Sequence, residues 1–376
     1  MTGAMSHFLL TGATGLLGQY LLRDLLLAGH QLTVVIRPTR MNSVEDRLDR
    51  LLKHWQPTCG ELTRPTVIAG DITEENLGLS STDQTWVSRH CSAILHNAAS
   101  LKFREADGEP WHSNLTGTRE TLRFCEHIGI NEFHYVSTAY VSGETDSIAF
   151  ELPVGTDVRP RNVYEDSKCQ AERLVLDSDL AKPPTILRPS IIIGDSRTGY
   201  TSTFHGVYLP LRLSIVLIPN SPGASQPRIV LDPARILEMM GLTGQEGKNL
   251  VPVDWVSRMI LRVIDSPQNH GRIYHLTSPN PTPILLLTQM TVDCVQEAAG
   301  ISPDFTASPV STSEELDRAF CSQLSTYREY WADDPQFDST NLSLIAGDDP
   351  CPLISVEMLR QTFRFALCEM SRSVNV

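Results

Sequence analysis

The sequence predicts an α/β fold: a doubly wound parallel sheet with a smaller, mostly helical C-terminal domain. Three observations predict it. Short apolar runs alternate with amphipathic helical patterns over residues 7–193. A glycine-rich turn at residues 11–18 joins the first apolar run to the first helical pattern. Beyond residue 281 the apolar residues are mostly spaced as in helices. Strands that alternate with helices are typical of a parallel sheet with helices on both faces.

The length of the chain indicates more than one domain. It has 376 residues, which is more than one compact core usually requires. We predict that residues 1–199 and 250–280 form the sheet domain, and that residues 200–249 and 281–376 form a substrate-binding or lid domain.

Composition narrows the class of protein. The formal net charge of -13 argues against nucleic acid or an anionic membrane surface as the main partner. The eight cysteines include no C-x-x-C pair, so we predict neither a disulfide framework nor a metal site. No signal peptide and no membrane-spanning run is evident. We therefore expect a cytoplasmic protein with reduced thiols; its oligomeric state stays open.

The turn after the first strand has the spacing G-x-x-G-x-x-G. Gly12 suits a tight turn, Gly15 lets a pyrophosphate approach the main chain, and Gly18 allows close packing of helix on strand. The helix N-terminus then offers unpaired N–H groups to a phosphate. An ordinary glycine-rich turn is the alternative. The turn resembles that of extended short-chain dehydrogenases/reductases, and thus a Rossmann-like fold. The cofactor-binding positions predicted here are Thr11, Gly12, Thr14, Gly15, Leu16, Leu17 and Gly18.

The end of the second strand indicates which dinucleotide binds. Proteins of this fold that prefer NAD usually carry Asp or Glu there to hold the ribose hydroxyls. Here the strand, residues 31–36, ends in Arg37, with Arg40 close behind. Two guanidinium groups suit a ribose phosphate, although arginines in a loop are often only solvated surface. We predict NADPH.

Later strand ends supply further positions. After the fourth strand, Asn97, Ala98 and Ala99 are small enough for a cofactor to pass close to the backbone. An amphipathic helix is predicted over residues 43–55, with Ser43 as its cap.

Tyr164 and Lys168 are four residues apart on a predicted helix and therefore share one face. The ordinary pKa of tyrosine is near 10, and a nearby ammonium lowers it. A tuned phenol can donate a proton as a carbonyl oxygen gains charge. A Y-x-x-x-K spacing also occurs by chance. Its position beyond Ser137 and Thr138, at the end of the fifth strand, favours the catalytic interpretation.

The resemblance becomes specific over the first two hundred residues. The turn, the Arg37 strand end, the run H-Y-V-S-T-A-Y-V from His134, the Tyr164–Lys168 pair, and L-R-P-S followed by G-D-S-R-T-G resemble thioester reductases and fatty acyl-CoA reductases of the male-sterility type. The helix inserted at residues 43–55 also resembles their layout.

This resemblance implies NADPH-dependent reduction of an acyl thioester, carried by coenzyme A or a carrier protein, to an aldehyde or further to an alcohol. Tyr164 would protonate the carbonyl oxygen, Lys168 would lower the tyrosine pKa and hold the nicotinamide ribose, and Thr138 would hydrogen-bond the same oxygen. Asp71 would bind the adenine, unless it is a plain turn residue, and Asn114 would brace the active site, unless it only caps a helix. The resemblance adds cofactor positions at Ile72, Pro189, Ser190 and Ile191.

Three alternatives stay open. The chain could be a sugar-nucleotide or sterol-type epimerase or dehydrogenase, a reductase of a free carbonyl natural product, or a non-catalytic NADP-binding regulator. The presence of both Tyr164 and Lys168 argues against the last of these.

The source of the acyl group is the remaining question. We recognise no adenylating or carrier domain in the sequence, so we expect the acyl group to arrive from outside, more readily on a carrier protein than on coenzyme A. Because acyl carriers are usually acidic, docking would need a local basic patch. The arginines predicted for it are Arg212, Arg228, Arg235 and Arg258.

Overall fold

The computed structural model describes residues 5–145, 147–215, 232–300 and 331–374. The chain divides into a large unit, made of residues 1–190, 253–277 and 335–350, and a small unit, made of residues 191–252, 278–334 and 351–376. Part of the predicted lid, with Arg228, and part of the predicted helical region beyond residue 281 lie outside the described residues.

The described strands and helices alternate over the first two hundred residues. The strands are β1 (His7–Thr11), β2 (Gln31–Ile36), β3 (Thr66–Ala69), β4 (Ala93–His96), β5 (Glu132–Val136), β6 (Thr185–Pro189), β7 (Ile191–Ile193), β8 (Gly247–Lys248), β9 (Leu250–Pro252), β10 (Ile273–Leu276) and β11 (Thr282–Pro283). The α-helices are α1 (Leu16–Leu27), α2 (Val44–Cys59), α3 (Ser81–His90), α4 (Gly117–Ile128), α5 (Val163–Leu176), α6 (Leu209–Ser214), α7 (Pro233–Met240), α8 (Val253–Ile264), α9 (Ile284–Ala298), α10 (Thr340–Ala346) and α11 (Val356–Val374).

The large unit is built on a seven-stranded parallel sheet in the order β10-β6-β5-β4-β1-β2-β3. The predicted doubly wound fold is confirmed. Strand order reverses between β1 and β4, and in open α/β sheets ligands bind beyond the carboxyl ends of the strands at such a switch point. The glycine turn follows β1 and the Asn97 loop follows β4, so both lie at this point.

Apolar residues of the strands and helices form the core of the large unit. Leu9, Ile94, Phe133 and Ile186 come from neighbouring strands and are buried in one cluster. Helix α1 packs against α8, and α4 packs against α5. Strands this apolar need cover on both faces, which helices provide.

Residues 335–350 belong to the large unit, whereas the predicted boundaries assign them to the smaller domain. A β-bridge pairs Ala149 with Phe337, and α10 packs against α8 and β10. These contacts join residues far apart in sequence, so they cannot be predicted from a local sequence pattern.

The small unit is mostly helical in its described part. Helix α9 packs against α6, α7 and α11, and two short pairs, β7 with β9 and β8 with β11, complete it. The Lys248 ammonium is fully buried and donates to a carboxylate oxygen of Asp334 and, at 2.9 Å, to the Ala332 carbonyl. This pair ties the segment near residue 334 to β8.

Helix α2 begins where the sequence predicts, because Ser43 and Asp46 form a reciprocal capping box. It ends at Cys59, beyond the predicted end, with Pro57 in its last turn. Within the described ranges, no helix has both the length and the apolar character needed to cross a bilayer.

Candidate active site

The three glycines of the turn differ in what surrounds them. Gly12 has a φ of +72°, and a Cβ there would lie 2.7 Å from the Ala98 backbone. A Cβ at Gly18 would lie 2.0 Å from the Gly12 carbonyl oxygen. Gly15 is exposed, and a Cβ there would meet nothing nearer than 3.5 Å. Gly12 and Gly18 are therefore required by the turn itself, whereas Gly15 leaves an open surface for a ligand.

The side chain of Thr11 lies inside the sheet, so a contact with a cofactor would have to come from its backbone. It is fully buried, and its hydroxyl accepts hydrogen bonds from the Asn97 and Ala98 N–H groups, each at 3.2 Å. Its oxygen also lies 2.8 Å from His96 Nδ1. Thr11 therefore ties the end of β1 to the end of β4. The side chains of Leu16 and Leu17 are likewise buried, which leaves backbone N–H groups as their contribution.

The loop after β4 forms a wall beside the turn. Asn97 donates from Nδ2 to the Gly12 carbonyl at 3.2 Å. Asn97 and Ala98 are partly exposed and Ala99 is exposed. The structure thus brings these three predicted positions next to the glycine turn.

A third arginine, Arg47, joins the predicted basic group. It extends from α2, donates to the Thr14 hydroxyl at 3.2 Å and donates to the Arg37 carbonyl oxygen. Burial and the nearby charges of Arg37 and Arg50 lower its pKa. Arg37 and Arg40 are both exposed. Sequence reasoning missed Arg47 because it lies in an amphipathic helix, where a polar residue is expected to be solvated.

Asp71 and Ile72 lie at the end of β3. Asp71 accepts hydrogen bonds from the N–H and hydroxyl of Thr73, at 3.0 and 2.8 Å, and lies 3.7 Å from Arg37 Nη1. It is therefore both a turn residue and a neighbour of the basic group. Ile72 packs against Gly117, where a Cβ would lie 2.6 Å from its Cδ1.

Asn114 joins the loop after β4 to α5 and is not a helix cap. It lies within a π-helical turn, His112–Thr116, that precedes α4. Its Oδ1 accepts from the Ser100 N–H at 2.7 Å, and its Nδ2 donates to the Ser100 carbonyl at 3.1 Å and to the Ser167 hydroxyl at 2.8 Å. Such turns are frequent at functional sites because they displace one side chain from the helical register.

Thr138, Tyr164 and Lys168 come together at the carboxyl end of β5. Tyr164 and Lys168 extend from α5, and Asn162 caps that helix by accepting from the Glu165 N–H at 3.0 Å. The Thr138 side chain lies close enough to the Tyr164 hydroxyl to lower its pKa, against the larger effect of burial. It also lies 3.4 Å from the Pro189 carbonyl. The three predicted catalytic residues are therefore neighbours.

The structure corrects the expected action of Lys168 on Tyr164. Burial raises the pKa of Tyr164 above its usual range, against the effect of the Thr138 side chain. The Lys168 ammonium donates instead to the Tyr135 hydroxyl at 2.7 Å and to the Val136 carbonyl at 2.8 Å. Burial lowers the pKa of Lys168 to about 7, against the effect of Glu172. The phenol is thus held in its protonated form.

The residues present fit a bound dinucleotide. Ser190 and Ser137, after β6 and β5, are buried, and their hydroxyls find no hydrogen-bond partner among the described residues. Unsatisfied buried hydroxyls are uncommon and call for an explanation, and a ligand at this edge would supply partners. Pro189 and Ile191, the other predicted positions there, are buried.

The predicted basic patch is not supported by Arg258. This arginine pairs with Asp254 and Asp349, each at 3.0 Å, so its charge is already compensated. Arg212 and Arg235 are exposed on α6 and α7.

One group in the described part of the chain has the composition of a metal site. Ligand atoms of Glu132, His134 and His270 all lie within 4.8 Å of one another. However, Lys182 donates to the Glu132 carboxylate at 2.8 Å, and His134 lies 3.3 Å from it. We therefore assign Glu132 to an ion pair with Lys182 at the start of β5.

Comparison with known proteins finds relatives of this chain among peptide synthetases and acyl-CoA reductases. The chain is 27% identical over 286 residues to the nonribosomal peptide synthetase asaC of Aspergillus flavus, covering 72% of this chain and 26% of that protein. It is 27% identical over 324 residues to the putative fatty acyl-CoA reductase CG8306 of Drosophila melanogaster, covering 73% of this chain and 59% of that protein. The chain thus spans about a quarter of the synthetase that it matches.

Among solved structures, the terminal R domain from the myxalamid PKS-NRPS biosynthetic pathway has the same fold. The TM-score is 0.72 at 24% identity, and the match covers 100% of this chain and 93% of that domain. The family model described as male sterility protein, an NAD-binding domain, matches residues 10–260. The expected resemblance is confirmed, and the chain belongs to the male sterility family of NAD-binding domains.

Proposed function

We propose that this protein reduces an acyl thioester to an aldehyde with NADPH as the hydride donor. The observation that carries the proposal is the meeting of Thr138, Tyr164 and Lys168 at the carboxyl end of β5, in the same unit as the open face of Gly15. A proton donor beside a dinucleotide turn suits reduction of a carbonyl.

The choice of NADPH over NADH rests on the arginines near the turn. Arg37, Arg40 and Arg47 offer guanidinium groups. Burial is the largest cause of the lowered pKa of Arg47, and repulsion from the positive charge of Arg37 is the second. A ribose phosphate would relieve that repulsion and accept paired hydrogen bonds. No carboxylate follows β2 before Glu45 in the sequence.

The residues divide the chemistry between them. NADPH, when bound, supplies the hydride that adds to the thioester carbonyl carbon. Tyr164 donates its proton to the carbonyl oxygen as that oxygen gains negative charge, and the Thr138 hydroxyl stabilises the same oxygen. The carbon–sulfur bond then breaks, and the sulfur leaves as a thiol. Lys168 holds the nicotinamide ribose. The balance is one thioester, one NADPH and one proton to one aldehyde, one thiol and NADP⁺.

We further propose that the acyl group is delivered by a carrier protein. Support comes from the match to a peptide synthetase, while the match to an acyl-CoA reductase keeps coenzyme A as the competing donor. The net charge of -13 would repel an acidic carrier at long range, so recognition must rest on close contacts.

Kinetics with one acyl group on three donors test both parts. We expect NADPH consumption and aldehyde formation with octanoyl-pantetheine, octanoyl-CoA and an octanoyl carrier protein, with the largest kcat/KM for the carrier form. Equal kcat/KM for the carrier and pantetheine forms would remove carrier docking. If NADPH binds but none of the three acyl donors is turned over, the proposal of thioester reduction is wrong. Turnover only with a free aldehyde or ketone would favour the alternative reductase.

A further inference from the structure

The groups that hold Lys168 are part of a longer buried row. Register places Thr11 beside His96 and His96 beside Tyr135 across β1, β4 and β5. All three are buried, and the rings of His96 and Tyr135 stack with centroids 5.8 Å apart. A row of polar side chains inside a parallel sheet is costly unless every group is bonded.

The hydrogens in this row can be assigned. Burial, and then the charge of Lys168, lowers the pKa of His96 to about 3, so its ring is neutral, with one donor and one acceptor nitrogen. Thr11 already accepts from two backbone N–H groups, so its hydroxyl donates to His96 Nδ1 at 2.8 Å. His96 Nε2 therefore carries the ring proton and donates to the Thr118 hydroxyl at 3.2 Å.

The row continues from Thr118 to the lysine. The Thr118 hydroxyl donates to the Asn114 carbonyl at 2.6 Å. The Lys168 ammonium has only hydrogens to give, so the Tyr135 oxygen accepts from it at 2.7 Å. The Thr118 side chain lies close enough to the Tyr135 hydroxyl to act on its pKa. Because the Thr118 hydrogen goes to Asn114, we direct the Tyr135 hydrogen toward the Thr118 oxygen. The hydrogen bonds already described thus leave a single acceptor for the hydrogen of each hydroxyl in the row.

We propose that Tyr135 is the positioning residue of Lys168, and that His96 and Thr118 hold the Tyr135 hydroxyl as an acceptor aimed at the lysine. The proposal rests on the placement of Lys168 at the cofactor in the proposed function, and adds how the lysine is held there. Because the row ends at Thr11 and Asn97, beside Gly12, the same bonds fix the lysine relative to the dinucleotide turn.

The charged groups around the lysine define what a change at Tyr135 should do. The Tyr135 hydroxyl and the Val136 carbonyl accept from Lys168, Glu172 of its own helix favours the ammonium, and neutral His96 adds no charge. A hydrogen bond to a charged group contributes more than one between neutral groups. Loss of the Tyr135 hydroxyl therefore disfavours the ammonium and leaves its position less defined.

Tyr135→Phe and a matched control test the proposal without a thioester. The dissociation constant for NADPH is measured by fluorescence from about pH 5 to about pH 9, which brackets both expected midpoints. In the wild type we expect affinity to fall as Lys168 loses its proton. Tyr135→Phe should move the midpoint of that fall about one pH unit lower, which weakens binding about fivefold at the wild-type midpoint and about tenfold well above it. The control is Tyr274→Phe, since Tyr274 is also buried in the large unit but donates to the Asn269 carbonyl at 2.6 Å.

The remaining outcomes are decisive as well. An unchanged midpoint in Tyr135→Phe, or an equal shift in Tyr274→Phe, overturns the proposal. If Tyr135→Phe does not fold, Thr118→Val takes its place, with a smaller shift expected in the same direction and no shift overturning the proposal. Lys168→Met should abolish the pH dependence. If the pH dependence persists in Lys168→Met, Lys168 is not at the cofactor and the proposed function loses that contact. If only Tyr135→Phe leaves the midpoint unchanged, Lys168 is at the cofactor but Tyr135 does not position it.

Discussion

At the scale of single residues, the protonation state of Tyr164 suits its proposed role. A proton donor must be protonated when the hydride arrives, and burial keeps the phenol in that form by raising its pKa. The oxygen that receives the proton becomes strongly basic only as it gains charge, so a phenol with a high pKa can still protonate it.

Tyr164→Phe isolates this proton. We expect kcat to fall by about 10²- to 10⁴-fold, the usual contribution of general acid catalysis, while the NADPH dissociation constant changes little. Stopped-flow NADPH oxidation and fluorescence titration measure the two quantities. Tyr274→Phe, which removes a hydroxyl bonded to Asn269, serves as the control with unchanged kcat. A fully active Tyr164→Phe enzyme would exclude Tyr164 as the acid.

Arg47→Ala tests the arginine that the sequence did not reveal. Because its guanidinium lies beside Thr14 and Arg37, we expect about tenfold weaker binding of NADPH and little change for NADH, as for a charge-assisted bond to a phosphate. Parallel titrations with both dinucleotides measure the ratio. Arg123→Ala, an exposed arginine paired with Glu120 on α4, should leave it unchanged. Equal weakening for both dinucleotides would place Arg47 away from the ribose phosphate.

At the scale of elements, the strand–turn–helix of β1 and α1 combines a structural demand with an open surface. Gly18 lies where any Cβ would overlap the Gly12 carbonyl, while Gly15 faces outward at the start of α1. Gly18 is therefore needed for the turn itself, whereas Gly15 leaves room for a ligand. The regular spacing of the glycines in the sequence does not distinguish the two roles.

Alanine at each glycine separates these functions. Gly18→Ala should lower the unfolding temperature, because overpacking costs about 1–3 kcal/mol. Gly15→Ala should lower the unfolding temperature less than Gly18→Ala. Alanine is a poorer N-cap than glycine by about 0.5–1 kcal/mol, but at a φ of -77° it is not strained and it makes the unfolded chain less flexible. Gly15→Ala should weaken NADPH binding severalfold. Calorimetry and titration measure the two. If Gly15→Ala bound NADPH as the wild type does, the pyrophosphate would not lie over Gly15.

The strands and helices at the centre of the fold were predictable because their signals are local. An apolar run before a glycine turn predicts a strand, and Ser43 before an amphipathic stretch predicts a helix, from neighbouring residues alone. The Tyr164–Lys168 pair was predictable for the same reason, since both lie on one helix face.

The interactions that hold those residues were not predictable from local pattern. Tyr135 meets Lys168, and Thr11 meets His96, only because strands distant in sequence pair in one register. A histidine and a tyrosine inside apolar strands were the signals available in the sequence. The side chain of Thr11 is likewise used within the sheet, which its place in the glycine turn did not indicate.

At the scale of the whole molecule, the large unit contains both the proposed catalytic residues and the dinucleotide turn. The small unit is held by its own core of α6, α7, α9 and α11 and by the buried Lys248–Asp334 pair. Since the catalytic residues and the turn share one unit, dinucleotide binding and proton donation depend on a single folded framework.

The stoichiometry of thiol release and NADPH consumption tests the central claim most directly. With octanoyl-pantetheine as substrate, free thiol is titrated while NADPH absorbance is followed. Thioester reduction predicts one thiol released per NADPH oxidised when the product is the aldehyde, or per two NADPH when it is the alcohol. Thiol released without NADPH oxidation, or NADPH oxidised without thiol release, would contradict the account.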